Sequence, residues 1–122
     1  MELYVCKKCG TAVALVKKGH CLPTCCGTPM EEVLPGTSDG AVEKHVPVVA
    51  IDGNLVTVAV GSAEHPMADA HYIEWIAIET SEGRQRKTLK PGDAPKAVFA
   101  LAPGETFVSA WAYCNLHGLW KL

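Results

Sequence analysis

From residue 46 onward the chain alternates short apolar runs with turn-forming residues. Residues 46–51 and 55–60 flank Asp52-Gly53-Asn54, which predicts a hairpin with a three-residue loop and Gly53 supplying a positive φ. Residues 72–80 are rich in β-branched and aromatic side chains. Ser81-Glu82-Gly83 and a polar strand over 84–89 follow, and Pro91-Gly92-Asp93 marks the next turn. Two further strands are predicted over 97–101 and 107–114, separated by Pro103-Gly104. No segment keeps a convincing 3.6-residue apolar period over ten residues. Short strands at regular spacing with Pro/Gly turns predict a mainly β fold, a β-sandwich of roughly seven strands.

The first residues are patterned differently. Residues 1–36 are rich in cysteine and too few to bury a useful core, so a bound metal would have to hold them together. The run Pro35-Gly36-Thr37-Ser38-Asp39-Gly40 consists of turn formers and reads as a boundary. Two domains are therefore expected, 1–36 and 37–122.

Composition narrows the function. The 122 residues are 48% hydrophobic and 20% charged, with a formal net charge of -2. That balance is ordinary for a globular chain and offers no nucleic acid or anionic membrane a general attraction. No apolar stretch approaches the roughly 18 residues of a membrane span, and the first residues lack a basic, then apolar, leader pattern. A cytoplasmic location is expected. Clustered cysteines in that compartment more often bind metal than form disulfides. Cys6, Cys9, Cys21, Cys25 and Cys26 lie in the first 26 residues, whereas His45, His65, His71, Cys114 and His117 lie beyond residue 40. Thiols at one end and imidazoles at the other suggest two sites of different chemistry.

Cys6-Lys7-Lys8-Cys9-Gly10 is a Cys-x2-Cys knuckle whose two-residue gap lets both sulfurs face one ion. Cys25-Cys26-Gly27 could supply two more thiolates, and four in a tetrahedron suit zinc or a single iron. Adjacent cysteines are unusual for a zinc ribbon, because their side chains diverge along an extended backbone. Five thiols for four positions leave one over. Either Cys21 is the outsider, or it completes the site with Cys25 or Cys26; a disulfide is the bland alternative.

Taken singly, each histidine beyond residue 40 reads as a solvated or hydrogen-bonded side chain, and Cys114 as a small buried apolar one. Together they read otherwise. Cys114-x2-His117 after a strand brings thiolate and imidazole to one point, and His65 and His71 bracket a loop that opens the long strand at 72–80. Structural zinc closes at four ligands, so four imidazoles and a thiolate favour iron with a sixth position open. Glu43 and Lys44 adjoin His45 and read either as a solvated charge pair or as functional groups. In the functional reading Lys44 draws an anion into the site and Glu43 covers the open position.

With these residues in order, the chain resembles the desulfoferrodoxins, two-centre superoxide reductases. The match runs over nearly the whole length. It includes Cys6-x2-Cys9, the fifteen-residue gap to Cys25-Cys26-Gly27, the segment 39–47 with Glu43-Lys44-His45, His65-Pro66-Met67, the segment 71–76, the segment 89–95 and the segment 113–120. The resemblance implies a desulforedoxin- or rubredoxin-like first domain with iron on Cys6, Cys9, Cys25 and Cys26. It also implies an immunoglobulin-like seven-stranded β-sandwich with a second iron, His45, His65, His71 and His117 equatorial and Cys114 axial. It further implies one-electron reduction of superoxide to hydrogen peroxide without oxygen release. Glu43 would ligate the oxidised iron, and Lys44 would assist superoxide attraction and protonation of the product. A rubredoxin-type electron donor and a homodimer are implied as well. Cys21 departs from the family pattern.

Overall fold

The computed structural model describes residues 1–122, which fall into two compact units, Met1–Leu34 and Pro35–Leu122. Pro35 and Gly36 thus group with the second unit and not the first, because the Gly36 N–H donates to the Leu119 carbonyl at 2.8 Å.

The first unit is built from five very short strands. β1 (Leu3–Val5) pairs antiparallel with β2 (Ala12–Ala14) and with β5 (Glu31–Val33), and β3 (Thr24–Cys25) forms a small hairpin with β4 (Thr28–Pro29). None is long enough to show an alternating pattern in the sequence. Its apolar centre is correspondingly slight: Tyr4, Cys6 and Met30 are buried, with Val13, Leu15 and Cys25 packed against them.

In the second unit, β6 (Pro47–Asp52), β7 (Leu55–Val60) and β10 (Lys96–Ala100) form one antiparallel sheet in the order β10-β7-β6. β8 (Ile73–Thr80), β9 (Gly83–Thr88), β11 (Phe107–Cys114) and β12 (Gly118–Lys121) form the other, in the order β12-β11-β8-β9. The first two strands pair in one sheet, the next two form the second, the fifth returns to the first, and the last two complete the second. This is an immunoglobulin-like path through seven strands.

Alternation explains which side faces in. Val56, Val58 and Val60 of β7 meet Ile73, Ile76 and Ile78 of β8, with Phe99, Ala110 and Ala112, in one buried cluster. Burying each large aliphatic or aromatic member stabilises the fold by roughly 1.5–3 kcal/mol. Cys114, at the end of β11, belongs to the same cluster and is fully buried. The second site therefore rests on the end of the sandwich core.

The structure corrects the first hairpin and adds two short elements. The first hairpin has a two-residue turn, since Asp52 still pairs with Leu55, and Gly53 takes φ 58 at its first position. The seventh strand is Gly118–Lys121, hidden in the sequence because it starts within one residue of His117. A single helical turn, α1 (Val42–His45), precedes the first strand of this unit. One turn cannot display a 3.6-residue period.

Candidate metal centres

The first cluster forms where the turn after β1 meets the β3–β4 hairpin. The Cys6 carbonyl accepts the Gly10 N–H at 2.8 Å, and Gly10 takes φ 80, closing the knuckle between Cys6 and Cys9. Cys26 and Gly27 both adopt positive φ, 52 and 75. This left-handed pair turns the two adjacent sulfurs towards one point, which an extended backbone would not do. The Sγ atoms of Cys9 and Cys25 lie 3.5 Å apart, and those of Cys25 and Cys26 3.9 Å. Sulfurs about 2.3 Å from a tetrahedral ion would be about 3.8 Å apart. Cys6, Cys9, Cys25 and Cys26 thus form a four-thiol group suited to a metal, and Cys21, exposed, lies outside it.

Without an ion, four thiols this close share their protons unevenly. The Thr11 hydroxyl, 3.1 Å from Cys9 Sγ, holds the Cys9 thiol down at about 6. The hydrogen bond with Cys9 and those with the other thiols push Cys26 up to about 12. A cation would let all four ionise.

The second cluster draws on four separate segments. His45 ends α1, His65 follows the turn after β7, His71 precedes β8, and Cys114 and His117 lie on and after β11. One ligand atom from each of these five residues lies within 4.8 Å of all the others. The imidazoles form a ring: centroid separations are 4.7 Å for His45–His65, 4.7 Å for His65–His71, 5.0 Å for His71–His117 and 4.8 Å for His45–His117. His45 and His71 face each other across it at 6.4 Å. Cys114 Sγ is 3.7 Å from His117 Nδ1.

Hydrogen bonding fixes the tautomers of two rings. Nδ1–H of His45 donates to the Ala41 carbonyl at 2.7 Å, and Nδ1–H of His65 to the Pro66 carbonyl at 2.6 Å. A carbonyl can only accept, so both Nε2 atoms carry lone pairs. Yet these two Nε2 atoms lie 3.1 Å apart, and His45 Nε2 is 3.1 Å from His117 Nδ1. His71 Nε2 is buried with no partner. Converging lone pairs and an orphaned buried nitrogen are unfavourable unless a cation lies between them. Nitrogens about 2.1 Å from such a cation, at right angles, would be separated by about 3.0 Å. The donor set fits a metal.

Burial readies the imidazoles for it. Desolvation lowers the pKa of His45 and His71 and holds His65 at about 4, so the rings stay neutral at pH 7. Burial pushes the Cys114 thiol up, partly opposed by the backbone N–H groups of His117 and Leu116. Metal uptake would therefore release the Cys114 proton.

Neighbouring residues hold this ring in place. Trp120 stacks on His45 at 4.8 Å, and its Nε1 donates to the His117 carbonyl at 3.0 Å. The Ser38 hydroxyl donates to the same carbonyl. Gly61 lies directly against α1: a Cβ there would be 2.7 Å from the Glu43 carbonyl oxygen. That oxygen accepts from the Ala63 N–H at 2.8 Å and from the Ser62 hydroxyl at 3.2 Å. Ser38, Gly61 and Trp120 were not identifiable as supports from the sequence, since each acts through a contact between distant segments.

Glu43 and Lys44 are exposed on α1, outside the five-donor group. The Lys44 ammonium disfavours protonation of both His45 and His71, so its field reaches the ring. Glu43 lines a groove of about 580 Å³ with Val42, Val46 and Val48.

The comparisons decide the family. The Desulfoferrodoxin family profile matches residues 37–122. A desulfoferrodoxin homolog of Archaeoglobus fulgidus is 49% identical over 121 residues, covering 99% of this chain and 95% of its own length. The chain belongs to the desulfoferrodoxin family. The desulfoferrodoxin of Nitratidesulfovibrio vulgaris is 48% identical, over 98% of this chain and 94% of its own. The crystal structure of the superoxide reductase from Treponema pallidum superposes with a TM-score of 0.84 at 36% identity, covering 100% of this chain and 99% of that one. The desulfoferrodoxin likeness thus extends through both metal-binding groups. No helix in the chain is long and apolar enough to cross a membrane.

Proposed function

We propose that this desulfoferrodoxin is a superoxide reductase, with iron held by Cys6, Cys9, Cys25 and Cys26 at one centre and by His45, His65, His71, His117 and Cys114 at the other. The observation that carries the reading is the ring of four inward-facing imidazoles with a buried thiol beside it. Five donors exceed the four of structural zinc and leave a sixth position of an octahedral ion open. The family and the superoxide reductase neighbour support the same activity.

The net reaction adds one electron and two protons to superoxide and yields hydrogen peroxide. Iron at the five-donor centre would supply the electron, with the Cys114 thiolate raising its electron density. The residues of the chain do the rest. The exposed Lys44 ammonium attracts the superoxide anion, a local effect that the overall charge of -2 does not cancel. The same ammonium orders water as the proton source for the departing product. Glu43, one residue earlier on α1, covers the open position between turnovers. With His45, His65 and His71 held neutral by burial, the positive charge of the site lies on the metal and on Lys44, where an anion meets it.

A rubredoxin-type protein restores the reduced state in this proposal, and the chain works as a homodimer in the cytoplasm. The four-thiolate centre, with Cys9 and Cys26 exposed, suits electron exchange with such a donor. The competing reading is a non-enzymatic electron-transfer or storage module. Metal analysis with a visible spectrum separates them: two irons per chain with two distinct thiolate bands support the reductase. One zinc and no colour would exclude it.

A further inference from the structure

The β11–β8 ladder, which ought to align two of the ligand segments, slips at the site. Tyr113 pairs with Trp75 but Cys114 pairs with Ile73, so the register shifts just before the thiol. Regular strand pairing therefore does not fix Cys114 and His117 relative to His71. Asn115 occupies the gap. Its backbone N–H donates to the Tyr72 carbonyl at 3.1 Å, and its side-chain oxygen accepts the Tyr72 N–H at 2.9 Å. Its Nδ2 donates to the Ala70 carbonyl at 3.1 Å. Three hydrogen bonds from one residue thus grip the backbone on both sides of His71.

The grip falls on the segment that carries His71, whose Nε2 is buried with no hydrogen-bond partner. The rings of His45 and His65 are each oriented by a bond from Nδ1 to a carbonyl. The backbone of His71 is otherwise held through a short exchange with Ala68, at 3.0 and 3.1 Å. That exchange lies within its own loop and does not tie it to β11.

We infer that Asn115 is a positioning residue, an amide clamp that sets His71 against the Cys114–His117 pair and so determines how firmly the five-donor centre keeps its metal. The inference rests on the proposed iron occupancy of that centre. It reaches beyond it by assigning retention to a side chain that touches no ligand atom.

The test uses the two-iron protein with excess phenanthroline, following iron loss from each centre by its own thiolate band. Asn115→Ala removes both side-chain bonds and should speed release from the five-donor centre about 10- to 100-fold, the usual range for partners that orient ligands. Release from the four-thiolate centre should stay at the parental rate. Asn115→Asp keeps the acceptor for the Tyr72 N–H but sets a carboxylate oxygen against the Ala70 carbonyl, so it should also speed release from the five-donor centre alone. It carries the test alone if the alanine variant fails to fold. Parental release from the five-donor centre in the variants, or equal acceleration at both centres, overturns the clamp. A parent that holds no iron at the five-donor centre overturns the proposed function and the clamp together, which distinguishes the two failures.

Discussion

Gly61→Ala asks whether the close approach of β7 to α1 is what places His45. Gly61 lies outside the left-handed region, and what an added methyl meets there is the backbone of α1. The new methyl would lie 2.7 Å from the Glu43 oxygen, 2.9 Å from the Lys44 carbonyl carbon and 3.1 Å from the His45 nitrogen, against an ordinary contact limit of 3.4 Å. All three are backbone atoms, and none can rotate away. The turn must therefore shift by several tenths of an ångström, which also stretches the bond from the Ala63 N–H to the Glu43 carbonyl. Overpacking of this kind costs about 1–3 kcal/mol. Because metal–ligand distances tolerate only about 0.2 Å, the same shift should loosen the five-donor centre. Urea unfolding of the metal-free protein, followed by Trp fluorescence, reads the first effect, and iron release to a chelator reads the second. Gly19→Ala is the control, since its Cβ would meet nothing within 4 Å. A Gly61→Ala protein within about 0.5 kcal/mol of the parent, with parental iron release, would refute the reasoning.

Other consequences follow from the same geometry. Cys114→Ser should abolish the thiolate-to-iron band of the second centre while leaving that of the four-thiolate centre; a persisting band would mean that Cys114 is not its thiolate ligand. Lys44→Ala should slow superoxide consumption by about tenfold at low salt and flatten its dependence on ionic strength, and an unchanged second-order rate would remove the steering role. In the metal-free protein His65 sits at about 4 against an ordinary 6.5, so the unfolded chain binds the extra proton between these values. Stability should be complete above about pH 6.5 and fall by up to about 3 kcal/mol as the pH drops to about 4, with His45 and His71 acting in the same sense. Urea midpoints across that range test the sign, which a flat or inverted profile would contradict.

What could be learned from the sequence divides along physical lines. Alternation exposed the strands whose inward side chains build the sandwich core, such as Val56, Val58 and Val60. Residue chemistry exposed the clustered thiols and imidazoles. Elements spanning no more than one or two of their own periods stayed hidden: the single turn Val42–His45, the strands of the first unit, and Gly118–Lys121 behind His117. The left-handed backbone at Cys26 was equally illegible, although it resolves the difficulty of aiming adjacent thiols at one ion. Supports such as Gly61 and Asn115 depend on which distant backbone lies opposite, and no local pattern carries that information. Two of the rings are instead aimed locally, since the Nδ1 of His45 bonds a carbonyl four residues earlier and the Nδ1 of His65 the carbonyl of the next residue. His45 uses Nε2 because Ala41 occupies Nδ1, whereas His117 faces the ring with Nδ1.

The reductase activity shows itself when the reduced two-iron protein meets a pulse of superoxide and both peroxide and oxygen are measured. A superoxide reductase should give rapid consumption yielding one hydrogen peroxide per superoxide, no oxygen evolution, and loss of the activity in protein lacking iron at the five-donor centre. Oxygen evolved alongside peroxide would mark a dismutase, and no reaction beyond the uncatalysed decay would contradict the assignment altogether.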